Sequence, residues 1–345
     1  MRKRGLRPLM AGAAALFAIT LVAGCTSTAD DSTPDRQGTT SDENKASGDT
    51  VVIGWSGPEA DHGWLGAINT GAINAAESFD DVELRQAEGT NDANAQIAAV
   101  EKFINDGVDA IVLLPTDGAA LTQAAQKAMD AGIPVINVDR EFSSTFASRA
   151  TILGDNYGMG VSAGTYICEQ LDGKSDAVVA EIAGIDSLPL TQDRSQGFKD
   201  ALDACGLEVG PRVAADFTVA GGESAASQLL SANPKIDAIW NHDDDQGVGV
   251  MAAIESAGRS EFFMVGGAGS VNMMDRIKAD DSVVKATVIY PSTQAADGIA
   301  LARLIAQDKT LSDLVTPSVP YRIVLDAPVV TKENVDEFIK LAFKS

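Results

Sequence analysis

Two short polar groups in this chain have the residue types that grip hydroxyls. In Asn137-Val138-Asp139-Arg140 a carboxylate and a guanidinium stand side by side at the end of an apolar run. The carboxylate accepts hydrogen bonds and the guanidinium donates them in a planar fork, so the pair can hold two neighbouring hydroxyls. The competing role is an ion pair that closes its own loop. The second group is Trp240-Asn241-His242-Asp243-Asp244-Asp245-Gln246-Gly247. Asn241 and Asp243 could face a ligand, but three carboxylates ahead of a helix also suit its N-terminus. Their spacing is not that of a calcium loop. The loop Gly57 to Trp64 adds Asp61, His62 and Trp64, with one of only two histidines and one of three tryptophans. An indole face stacks on the C–H face of a ring, or else caps the core beneath its loop. His62 can donate a hydrogen bond, and it lacks the spaced partners of a metal site. Asp117 closes Leu114-Pro115-Thr116-Asp117. Arg194 falls where the pattern starts a helix, a place mildly unfavourable for a cation and so suggestive of another task.

This set argues for binding over catalysis. The expected cleft carries no Gly-x-Ser-x-Gly elbow and no phosphate loop. Gly266-Gly267-Ala268-Gly269 lacks the dinucleotide fingerprint. Carboxylates facing across a cleft would be the one feature shared with glycoside-cleaving enzymes. No cofactor and no metal are expected.

These residues sit at the ends of apolar strands in a regular alternation with amphipathic helices. Strands are expected at Val51–Ser56, Val82–Glu88, Ala110–Leu114 and Val135–Asp139, with helices at Leu65–Ser78, Asn94–Asn105 and Ala119–Ala131 between them. After Gly154-Asp155-Asn156 the grammar repeats, with helices at Tyr157–Gln170 and Ser195–Ala204, strands at Ala177–Ile182 and Val213–Phe217, and further pairs as far as Lys285–Tyr290. Short β-branched strands separated by helices make a parallel sheet covered on both faces. The expected fold is therefore α/β, two similar lobes with a boundary near Asp155. Ligands of such sheets sit beyond the carboxyl ends of the strands, which would place the polar groups face to face across a cleft.

The N-terminus assigns the compartment. Arg2, Lys3, Arg4 and Arg7 precede an apolar run from Leu9 to Val22 that is too short to span a bilayer, and Leu21-Val22-Ala23-Gly24-Cys25 closes that run. Residues 1–24 read as an export signal and Cys25 as a lipidation site. The polar stretch 25–49 reads as a flexible tether. The net charge of −23, more negative once the basic leader is removed, argues against nucleic acid and against adhesion to anionic lipid. Cys168 and Cys205 remain, each at the end of an expected helix, as a disulfide in an oxidising compartment or as two buried thiols.

Taken together, Val-Asp-Arg after a strand, Arg194-Ser195-Gln196-Gly197-Phe198 at a helix and a polar cluster before Gly247-Val248-Gly249 resemble the periplasmic sugar-binding proteins of the ribose- and galactose-binding type. The resemblance runs from Val51 to the C-terminus. It implies two Rossmann-like lobes joined by three crossover segments, with hinge closure over a sugar or polyol. It further implies delivery to the permease of an ABC importer, or presentation to a membrane receptor by a sensory relative. The protein would be a monomer on the outer face of the cytoplasmic membrane. The implied lobe boundaries are 50–154 plus about 291–320, and 155–290 plus about 321–345. Carried over by position, contacts fall on His62, Trp64, Asp139 and Arg140 in the first lobe and on Arg194, Phe217 and Asp243 in the second. The chain departs from the ribose-type pattern at Ala268, where that pattern has a carboxylate. It has Tyr290 in place of a glutamine, Asp243 in place of an asparagine, and one aromatic in the first loop instead of two. The implied pocket is not a ribose pocket.

Overall fold

The computed structural model describes residues 40–345 apart from 312, 313, 315 and 316. The expected export signal, Cys25 and the tether before residue 40 lie outside the described residues.

The chain opens with α1 (Ser41–Lys45), then β1 (Val51–Ser56), α2 (Gly63–Glu77), β2 (Val82–Gln86), α3 (Ala93–Asp106), β3 (Ala110–Leu113), α4 (Gly118–Asp130), β4 (Val135–Val138) and β5 (Ala150–Gly154). The second series is α5 (Asn156–Gln170), β6 (Val179–Ala183), α6 (Pro189–Ala204), β7 (Val209–Ala214), α7 (Val219–Ala232), β8 (Ala238–Asn241), α8 (Asp244–Ala257), β9 (Phe263–Ala268), α9 (Val271–Ala279) and β10 (Val284–Ile289). It closes with α10 (Gln294–Ala306), β11 (Arg322–Leu325), β12 (Val329–Thr331) and α11 (Val335–Phe338). Two six-stranded sheets result, ordered β11-β5-β4-β3-β1-β2 and β12-β10-β9-β8-β6-β7. Every pairing is parallel except β10 with β12. The central strands β3, β4 and β8 are buried throughout, as their unbroken apolar runs require.

The chain passes between the lobes three times: after β5 at Asp155, after β10 from Tyr290, and between β11 and β12. The last crossing corrects the expected boundary. Arg322–Leu325 is expected in the second lobe, yet it pairs in parallel with Thr151–Gly154 of the first sheet, and only the residues from β12 onward join the second. The expected helix start at Ser195 is also corrected. α6 begins at Pro189, a residue suited to a first helical turn, so Arg194 lies inside the helix, away from its N-terminus. β7 runs from Val209 to Ala214, leaving Phe217 in the loop after it, and β5 has no counterpart among the expected strands.

The tether expectation fails for its last ten residues. Thr40 caps α1 in a reciprocal box with Glu43. Buried Arg303 of α10 clamps the end of that helix and the residues just beyond it. Its Nε donates to Asp81 Oδ1 at 2.6 Å, and its terminal nitrogens donate to the carbonyls of Asn44 (2.6 Å) and Ala46 (2.9 Å). Gly48 N–H donates to Asp81 Oδ2 at 2.6 Å, and Gln307 reaches the Asp49 carbonyl at 2.8 Å. Polar composition marks this stretch as a leash, but its backbone carbonyls satisfy a buried guanidinium. In the second lobe, a disulfide between Cys168 and Cys205 ties the end of α5 to the end of α6.

Candidate ligand-binding cleft

The strand carboxyl ends of both sheets face one another, and the backbone is strained there. Three non-glycine residues at or just past strand ends occupy the left-handed region: Asp139 (φ 64°), Phe217 (φ 68°) and Ala268 (φ 80°). Such a conformation costs of order 1–3 kcal/mol, and it clusters at functional sites. Asp139 follows β4, Phe217 follows β7 and Ala268 ends β9.

Tyr290, at the end of β10, occupies the point on which these residues converge. The residue is only 3% exposed. It lies in a slot that exists because Gly154 has no side chain; a Cβ there would collide with the ring. The Tyr290 hydroxyl donates to Asp139 Oδ1 and accepts from Asn156 Nδ2 at 3.1 Å. Burial, reinforced by the Asp139 charge, raises its pKa, so the hydroxyl stays a donor. The Arg194 guanidinium lies over the ring at 4.5 Å from its centre, and over Phe217 at 5.8 Å. Arg194 is buried, with Nε donating to Asn156 Oδ1 at 2.9 Å and another nitrogen donating to the His242 carbonyl at 3.2 Å. Trp64 packs against Tyr290, ring centres 5.4 Å apart, and its indole N–H donates to the Tyr290 carbonyl at 3.1 Å.

The three successive carboxylates do three different things. Asp243 is the N-cap of α8 and accepts from the backbone of Asp245 (2.8 Å) and Gln246 (3.1 Å). Burial raises its pKa, and the Asp245 charge adds to the rise. Asp244 turns inward and accepts from Gly267, Gly269 and Ser270 N–H and from Thr287 Oγ1, which fixes the β9–α9 loop. Burial pushes its pKa up to about 7 against the pull of those donors. Asp245 crosses between lobes. Its Oδ2 accepts from Trp64 N–H at 2.9 Å, in the first turn of α2, whose N-cap residue His62 makes no side-chain cap bond. A second-lobe carboxylate thus caps a first-lobe helix.

The remaining residues singled out in the sequence divide sharply. Asp61 and His62 bond each other at 2.6 Å on the outer loop. Asn241 is wholly buried within the second lobe, donating to the Asp243 carbonyl and accepting from Gln246 Nε2 at 2.7 Å. Asp117 caps α4 through Ala120 N–H at 2.9 Å. Arg140 donates to the Thr116 carbonyl at 2.9 Å, while its Nε, 3.8 Å from Asp139 Oδ2, is buried without a hydrogen-bond partner. Asp117, Asp139 and Arg140 line a cavity of about 570 Å³ bounded by both lobes. Trp64, Arg194, Phe217, Asn241, Asp243 and Tyr290 are not among its lining residues. Sequence reasoning missed Asn156, Tyr157 and the Leu188–Leu190 segment, which form its second-lobe wall. Gly154-Asp155-Asn156 is visible in the sequence only as a boundary.

Two facing α/β lobes, three crossings and a polar cleft define a two-lobed solute receptor. The chain belongs to the periplasmic binding protein domain family, whose profile matches residues 53–310. It is an extracytoplasmic solute-binding protein and not an enzyme. It is 30% identical over 224 residues to the D-ribose/D-allose-binding protein of Pseudomonas aeruginosa, covering 64% of this chain and 70% of that protein. It is 32% identical over 232 residues to the ribose import binding protein of Bacillus subtilis, covering 65% and 73%. Among solved structures, one from Mycobacterium smegmatis in complex with β-D-fucofuranose matches with a TM-score of 0.74 at 25% identity, over 84% of this chain and 93% of that one. The fructose-binding periplasmic domain of a hybrid two-component system matches with a TM-score of 0.73 at 27% identity, over the same shares.

Proposed function

We propose that this protein is the sugar- or polyol-binding component of an ABC importer, tethered to the outer face of the cytoplasmic membrane through lipidated Cys25 and acting as a monomer. The observation that carries the reading is the convergence of Asp139 from one lobe and Asn156 from the other on the Tyr290 hydroxyl, beside a cavity that both lobes wall. Hydrogen bonds to charged groups contribute roughly 1.5–3 kcal/mol each. A few of them suffice for micromolar binding after the cost of closing the hinge. The relatives support the ligand class, since two are named for ribose and one structure carries a furanose. A thermal-shift screen of pentoses, hexoses and alditols tests it, because a ligand of the folded state raises the melting point by mass action. No rise with any of them would overturn the reading. For the anchor, lipid labelling should occur in the native protein and be absent from Cys25→Ser; equal labelling of both would refute it.

A sensory role is the second reading, favoured by the likeness to the two-component fructose-binding domain. In that case the closed form is presented to a receptor, and loss of the protein abolishes sugar-dependent signalling while uptake continues.

A further inference from the structure

Tyr290 does to the cleft what a ligand would do. Its hydroxyl takes one oxygen of Asp139, its ring takes the face of Arg194, and its carbonyl takes the indole N–H of Trp64. The Gly154 slot and the Asn156 amide hold it there. The inner half of the cleft is therefore filled by protein. Asp139 and Asn156 hold the hydroxyl on one side and line the open cavity on the other, so Tyr290 stands behind the cavity's inner wall.

The cavity on the outer side has two unlike faces. One is polar: Asp117, Asp139, Asn156 and Arg140, whose buried Nε has no partner and so lacks an acceptor. The other carries the apolar side chains Tyr157, Leu188, Pro189 and Leu190 of the second lobe and Val324 of β11, with Ser187, Asp193 and the Arg322–Glu141 pair among them. Tyr157 and Val324 are among the exposed large hydrophobics, 46% and 43% exposed. A cavity of about 570 Å³ is in the range of small-molecule sites (~300–1,000 Å³) and leaves room for a substituent beside a sugar ring. A free monosaccharide carries hydroxyls all round, and those turned to the Tyr157, Leu188–Leu190 and Val324 side chains would lose their partners. A ring with an apolar substituent on one side matches both faces.

We propose that Tyr290 is a specificity-determining residue that closes the inner half of the cleft and shifts the ligand outward. The preferred ligand is then a hydroxylated ring carrying an apolar substituent, an alkyl or aryl glycoside, ahead of the parent sugar. The proposal rests on the sugar-binding reading above. Its test is calorimetry with D-ribose, D-galactose and myo-inositol set against the methyl and phenyl β-glycosides of the two sugars. The native protein should bind a phenyl glycoside about tenfold more tightly than its parent, a margin within reach of a modest apolar contact. Tyr290→Ala should reopen the inner half and bring that ratio toward one. Should Tyr290→Ala fail to fold, Leu190→Ser still tests the apolar face and should weaken the glycoside more than the parent. Parent sugars or myo-inositol binding as tightly as the glycosides would overturn this inference and leave the sugar-binding reading standing. Binding by none of the probes would overturn both.

Discussion

Asp139 joins three features at the cleft. They are its strained backbone, its bond from the Tyr290 hydroxyl and its place beside Arg140 in the lining of the cavity. Asp139→Ala should remove detectable binding of the best ligand in calorimetry. It should also lower the unfolding free energy by about 1–3 kcal/mol, because the Tyr290 hydroxyl loses its acceptor in a buried site. Unchanged affinity would take Asp139 out of the site. This residue was legible in the sequence, since a carboxylate and a guanidinium at the end of an apolar strand point one way. The roles of Asp243, Asp244 and Asp245 were not. Successive residues at the start of a helix are turned about 100° from one another, so identical side chains meet an N-cap, a loop and the opposite lobe. Which carboxylate meets which depends on packing that no local pattern encodes. Tyr290 stands out in the sequence as a departure, but its filling of the cleft depends on Gly154, more than a hundred residues earlier in the chain.

At the scale of elements, α10 does more than cover the first sheet. Its Arg303 joins Asp81, at the start of β2, to the backbone of residues 44–46. The Arg303 guanidinium holds the Asp81 carboxyl far below the usual range of such groups, against the opposing effect of burial. Because its folded pKa is depressed, the stabilisation is present above the unfolded value of 3.8 and is lost as pH falls below it. Melting temperature should thus drop more steeply below pH 4 in the native protein than in Asp81→Asn. Asp81→Ala, which leaves a buried guanidinium unpaired, should cost about 3–5 kcal/mol in denaturant unfolding. It should also speed hydrogen exchange across residues 44–49; unaltered exchange there would show that the segment is held by something else. The alternation of strands and helices was readable because parallel strands are continuous apolar runs. The docking of residues 40–49 was not, since it joins groups far apart in sequence through a backbone that any polar stretch could offer. The disulfide across the ends of α5 and α6 was open between two alternatives in the sequence. Cys205→Ser should lower stability by roughly 2–4 kcal/mol under oxidising conditions, and a reducing agent should have the same effect on the native protein.

For the whole molecule, the question is what holds the two lobes together. One apolar cluster runs through both and through the crossings between them, and takes in Trp64, Trp240 and Tyr290. Across the cleft the Asp245 carboxylate caps α2. Removing that cap should favour the open form: Asp245→Ala should weaken ligand binding through the closing equilibrium while the lobes stay folded by circular dichroism. Closure over a bound sugar is the central claim, and distance measurement tests it most directly. Spin labels at Asn105→Cys on α3 and Ser227→Cys on α7 place one probe on an exposed position of each lobe. With the sugar that gives the largest thermal shift, pulsed electron resonance should show the inter-label distances narrowing to a single population distinct from the ligand-free distribution. An identical distribution with and without saturating ligand would contradict the account.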